Sequence, residues 1–197
     1  FTNTNANFSK VKFVIVDGTL TISPREVTLT SANAEKVYDG KPLTKNEVTA
    51  SGDGFVDGEG ATYKVTGSRT DVGTSDNTFE YTLNNNTKKD NYTITKAEGK
   101  LTVNPVTDEV TVTITENSGS EKYDGTEKTV TGYKVTNISN NLYKEGDFSF
   151  SGNASVSGIN AGTYDMELKA SDFTNTNANF SKVKFVIVDG TLTISPR

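Results

Sequence analysis

The segment FTNTNANFSKVKFVIVDGTLTISPR occupies Phe1–Arg25 and, letter for letter, Phe173–Arg197, an offset of 172 residues. Packing and catalysis constrain buried or reacting side chains, and neither demands identity at every surface position. Identity over all 25 residues is the mark of a copied unit. Tandem copying suits a protein whose action depends on how many units it has. The chain therefore reads as one full 172-residue repeat, Glu26 to Arg197, preceded by the tail (residues 1–25) of another copy.

A second, diverged repeat lies inside the first. Tyr38-Asp39-Gly40 returns as Tyr123-Asp124-Gly125, 85 residues on. Asn91-Tyr92 followed by Glu98-Gly99-Lys100-Leu101-Thr102-Val103-Asn104-Pro105 matches Asn179-Phe180 followed by Asp189-Gly190-Thr191-Leu192-Thr193-Ile194-Ser195-Pro196. Asp71-Val72-Gly73-Thr74 likewise matches Asn160-Ala161-Gly162-Thr163. The repeat divides into half A, residues 26–105, and half B, residues 106–197. Alternating two diverged halves keeps identical sequences from being immediate neighbours, which limits misassembly between them.

Val, Ile, Thr, Tyr and Phe come in short runs separated by Gly, Asn, Asp and Ser, the composition of a mostly β fold with little or no helix. At 32% hydrophobic residues, the cores must be small. Strands are expected at 26–30, 47–50, 61–66, 78–83, 109–115, 132–137, 147–151 and 164–170, with a short helix or turn at 43–47 and an exposed loop at 84–90. Each half is expected to close on a hairpin. Asp17-Gly18 and its copy Asp189-Gly190 would supply the positive φ angles of a type I′ turn, pairing Phe13 with Ile22 and Phe185 with Ile194. Glu98-Gly99 would do the same in half A, pairing Ile94 with Val103. Pro24, Pro105 and Pro196 cannot donate to a ladder and mark strand ends and unit junctions.

Net charge is −5, with acidic and basic residues mixed, so no basic stripe exists for nucleic acid. No apolar run approaches the roughly 18 residues of a membrane span. The sequence lacks Cys and His. That removes thiolate sites, the commonest metal ligand and the commonest general base. No catalytic constellation, cofactor site or metal site stands out, and an enzyme is not expected. Tyr38-Asp39-Gly40 and Tyr123-Asp124-Gly125 read as turns in which Asp caps its own backbone and Gly takes positive φ. Asp53-Gly54-Phe55-Val56-Asp57-Gly58-Glu59 has the acids of a calcium loop but not its alternating oxygen ligands, and reads as a turn before a strand.

The Tyr-Asp-Gly near each half's start, and the closing pattern Asp/Glu-Gly-x-Leu-Thr-Val/Ile-x-Pro, resemble the bacterial YDG and MBG (mostly β-grasp) repeat families. The paired halves look like the doubled ubiquitin-like arrangement of some bacterial surface proteins. A second likeness is to the high-identity tandem repeats that build rod-like stalks. These resemblances imply two β-grasp-like halves in an elongated series, at the bacterial cell surface within a large cell-wall-anchored adhesin. They imply neighbouring repeats as partners and a non-catalytic stalk or spacer role that projects a distal binding domain. Lys96 stands where half B has Ile187, so half A is expected to bury this face less fully. The alternative function is a repeated weak binder of host glycan or matrix protein acting through multivalency, with Tyr63, Tyr133 and Tyr143 grouped on one surface. A self-formed Lys–Asn isopeptide link is not expected in both halves, because Asn104 becomes Ser195 in half B.

Overall fold

Alternation of apolar and hydroxyl side chains writes the first strand of each half. In β1 (Arg25–Ser31), Val27, Leu29 and Ser31 point inward; in β9 (Val110–Glu116), Val110, Val112, Ile114 and Glu116 do. The computed structural model describes all 197 residues and holds eighteen strands and three single-turn 3-10 helices. The chain is mostly β, as its composition requires.

The two halves share one plan. β1 lies between β3 (Val48–Gly52), antiparallel, and β7 (Tyr92–Ala97), parallel. β9 lies in the same way between β12 (Tyr133–Ile138) and β17 (Val183–Val188). A second sheet in half A places β8 (Lys100–Asn104) between β2 (Ala34–Val37) and β5 (Gly73–Asp76). In half B, β18 (Thr191–Ser195) lies between β10 (Gly119–Lys122) and β15 (Gly162–Asp165). Two-stranded ribbons complete the set: β4 (Ala61–Val65) with β6 (Phe79–Leu83), β11 (Lys128–Thr131) with β14 (Ser155–Gly158), and β13 (Phe148–Phe150) with β16 (Phe173–Asn175).

This topology overturns the expected hairpins. β7 does not pair with β8, nor β17 with β18. Two parallel strands instead run side by side, β1–β2 beside β7–β8 and β9–β10 beside β17–β18, and both bend at the same level to pass from one sheet into the other. Glu98-Gly99 and Asp189-Gly190 are these bends, and neither glycine takes a positive φ. The reason is hydrogen bonding. A hairpin would satisfy one edge of each strand, whereas β18 pairs on both edges and β17 pairs with a buried β9. Glycine is needed for close approach. A Cβ on Gly99 would lie 2.4 Å from Ser31 O, and one on Gly190 would lie 2.4 Å from Asn117 O. Gly190→Ala, and equally Gly99→Ala, is expected to destabilise its half by about 1–3 kcal/mol as backbone is forced apart. Chemical denaturation reads this, and an unchanged midpoint would refute the close-approach reading.

Two further expectations fail. Residues 43–47 form no helix; Leu43 makes an isolated antiparallel bridge to Arg69. Residues 164–170 are not one strand, because β15 ends at Asp165 and Glu167 takes a positive φ of 61°. Residues 84–88 are an exposed loop that runs into the 3-10 turn Lys89–Asn91 and is pinned by one buried side chain, Thr87, whose Oγ1 accepts from Gly60 N–H at 2.8 Å.

Each half has its own core. Half A buries Val27, Leu29, Phe79 and Tyr92. Half B buries a larger set that includes Val112, Ile114, Tyr143, Met166, Phe173 and Phe180. Ile187 packs on the half B core. At the matching place Lys96 sets its ammonium 4.7 Å from the Phe79 ring centroid and pairs with Glu98 at 3.1 Å. The cation–π contact closes the thinner core while the charge stays near water.

Residues 1–24 form no strand. Leu20 and Ile22 are 89% and 86% exposed, whereas their copies Leu192 and Ile194 are buried. The expected Asp17-Gly18 hairpin is absent here as well.

Candidate functional site

The Tyr-Asp-Gly turns are built alike. Asp39 Oδ1 accepts the Lys41 N–H at 2.9 Å, and Gly40 takes φ +74°. Asp124 Oδ1 accepts the Thr126 N–H at 2.9 Å, and Gly125 takes φ +82°. The Lys36 ammonium on Asp39 holds that carboxyl below its ordinary range, helped by the Lys41 backbone. Lys128, 2.7 Å away, and then Thr126 lower Asp124 in the same way. Tyr38 and Tyr123 each donate their backbone N–H to the end of the closing strand, to Asn104 O at 2.8 Å and Ser195 O at 2.9 Å.

What the turns present differs. The Tyr38 ring leaves its own half and packs edge-on to Phe180 of half B, centroids 5.7 Å apart at 78°. Asn179 closes the same contact. Its Oδ1 accepts the Val72 N–H at 2.8 Å, and its Nδ2 donates to Asp71 at 3.0 Å. The linker joins in: Val106 N–H donates to Asn179 O at 2.9 Å, and Ser181 N–H returns a bond to Val106 O at 3.0 Å. Pro105 thus ends β8, and the next residue already belongs to half B. A ring contact, a bidentate amide and a bridged linker fix one half against the other. Sequence reading did not find this interface. Its only trace was the presence of Tyr38-Asp39-Gly40, Asp71-Val72-Gly73 and Asn179-Phe180 within the 172-residue repeat. Asn179→Ala is expected to cost about 1–2 kcal/mol, because the half-buried Val72 N–H loses its partner. Thermal unfolding of the full chain would register the loss.

The tyrosines proposed for ligand binding do not group on one surface. Tyr143 is buried against Phe180 (5.2 Å), and Tyr133 packs on Phe150 and Phe173. Tyr63 stands beside Phe79 in half A. They were misread because an aromatic in a loop or strand looks the same whether it faces out or in. Burial, with Asp147 nearby, pushes the Tyr143 phenol from 10.0 up to about 12. Its OH donates toward Asp147 O and Asn175 Oδ1, both at 3.0 Å. A raised folded value makes its contribution to stability complete below pH 10.0 and lost as pH rises through about 12. Burial also raises Tyr63 and Tyr133, and the hydrogen bond to Glu59 raises Tyr92. Tyrosinate absorbance should therefore lose the latest of several late-titrating phenols in Tyr143→Phe, and a titration left unchanged by that substitution would contradict this.

The acids of residues 53–59 serve separate partners. Asp53 accepts the Glu26 N–H at 3.1 Å, and Glu59 accepts the Tyr92 hydroxyl. No group of three or more acidic side chains converges on a point that would hold a metal ion. Asn104 donates its amide to Glu35.

Fold and interface together define a class: a mostly β unit of two similar halves held against each other. Residues 110–196 match the model of the MBG domain family, and this match supports the resemblance read from the Tyr-Asp-Gly and closing motifs. No curated protein and no solved structure matches the chain. No helix is long and apolar enough to cross a membrane.

Proposed function

We propose that this chain is a non-catalytic spacer repeat from the stalk of a bacterial cell-surface adhesin. It acts outside the cell, anchored through the rest of the protein to the wall, and holds a distal binding domain away from it. The observation that carries this reading is the interface between the halves. Tyr38 on Phe180, Asn179 on Asp71 and Val72, and the bridged Val106 restrain the one hinge where an A–B unit would otherwise bend. A stalk needs restrained hinges, because only then does reach grow in proportion to copy number. The 172-residue copy supplies the means of changing that number.

Small-angle scattering on chains of one, two and three repeats tests the proposal. A spacer gives a maximum dimension that rises by a constant step per repeat. A dimension that levels off means folded-back units and removes the spacer reading in favour of a multivalent binder.

A further inference from the structure

The contact that half A makes through Tyr38 has an uncovered counterpart on half B. In half A, Phe180 covers the tyrosine ring, and Gly40 faces Leu142. In half B, Tyr123 is 38% exposed, and Gly125 faces open space. Ile159, in the loop corresponding to Asp71–Val72, is 48% exposed.

The chain itself holds a copy of the closing segment beside half A. Ser23 is the copy of Ser195, the residue whose carbonyl accepts from Tyr123. Ile22, Ser23 and Pro24 line an open cleft of about 350 Å3 together with Val56, Asn91 and Tyr92 of half A. Tyr92 is half A's counterpart of Phe180. It follows an asparagine and packs on Phe55 at 5.1 Å, as Phe180 follows an asparagine and packs on Tyr143 at 5.2 Å. A closing strand that ends Ile-Ser-Pro-Arg therefore carries the Tyr-Asp-Gly turn bonded to it to the mouth of this cleft. The tether is short. Two residues, Arg25 and Glu26, separate Pro24 from the buried Val27, against four between Pro105 and Val110.

We infer that Tyr123 of one repeat docks in the cleft at the start of the next repeat, against its Tyr92, so that a second copy of this unit is the partner of the exposed half B face. The inference rests on the spacer reading and extends it from the A–B hinge to the B–A hinge. The stalk would then be restrained at every junction by one device used twice.

The test uses residues 1–197 followed directly by a second 26–197. The chain has no cysteine, so Thr163→Cys in the first repeat and Thr82→Cys in the second, both exposed strand positions, take spin labels cleanly. Pulsed electron resonance should give one narrow distance peak. Tyr123→Ala in the first repeat should abolish that peak, while Tyr123→Phe, which keeps the ring, should preserve it. Ile159→Asp, a second exposed position on the face, should act like Tyr123→Ala and guards against a local folding defect. A narrow peak that survives both Tyr123→Ala and Ile159→Asp overturns the docking and leaves the spacer standing. A broad distribution in the unmodified chain overturns both.

Discussion

Glu116→Ala is expected to lower the stability of half B by about 2–6 kcal/mol, from two buried N–H groups at about 1–3 kcal/mol each. Glu116 is the last residue of β9 and is buried at the bend where the strands change sheets. One carboxylate oxygen accepts the Leu168 N–H at 2.6 Å, and the other accepts the Gly190 N–H at 2.7 Å. Both amides are lost to the ladders because the chain turns out of one sheet there, so the carboxylate is what satisfies them. Half A meets the same need differently. Ser31 Oγ accepts the Gly99 N–H at 2.9 Å and donates to Asn77 O at 2.6 Å, and Asn77 then holds Ala32 O and Lys45 O. Glu116→Gln retains one acceptor and should cost less than Glu116→Ala. Urea titration of the two variants and the parent measures both losses. An alanine effect below about 0.5 kcal/mol, the range of neutral surface changes, would refute the assignment.

Phe180→Ala should cost half B about 3–5 kcal/mol, the usual range for deleting a fully buried aromatic ring. The ring packs on Tyr143 inside half B and on Tyr38 of half A, so the loss has a core part and an interface part. Tyr38→Ala removes only the interface part, and a double-mutant cycle should return about 0.5–1.5 kcal/mol for the ring pair. A coupling of zero would mean that the halves touch without holding each other. The chain carries its own control. Phe8 occupies the same local sequence and is 62% exposed, so Phe8→Ala should leave the unfolding midpoint unchanged.

Much of the fold was legible in the residues. The alternating runs of β1 and β9 announce one buried face each. The Asp-Gly pairs of the Tyr-Asp-Gly turns act within two residues of themselves, and the substitution of Lys96 for Ile187 marked the thinner core. The bends at Gly99 and Gly190 were misread because Asp-Gly or Glu-Gly between two β runs has the same local chemistry in a hairpin and in a sheet crossover. The choice falls to strands far away in sequence. The interface was hidden for the same reason: Val72 and Asn179 are 107 residues apart, and neither looks unusual alone.

The duplicated segment separates the two kinds of information, since it holds one sequence in two surroundings. Its Asn-Thr-Asn-Ala-Asn-Phe stretch folds the same way in both. Asn5 N–H bonds Asn3 Oδ1 at 3.0 Å as Asn177 N–H bonds Asn175 Oδ1 at 3.0 Å, and Phe8 N–H bonds Asn5 O at 3.2 Å as Phe180 N–H bonds Asn177 O at 3.2 Å. Side chains that cap their own backbone need no partner, so sequence alone determined this loop. The rest of the segment contributes to β16 and forms β17 and β18 near the C-terminus, whereas residues 1–24 hold no strand. Strand hydrogen bonds must come from another strand, and only 183–195 has β9, β10 and β15 beside it. Whether these residues are a core or an exposed tail was decided by the tertiary structure.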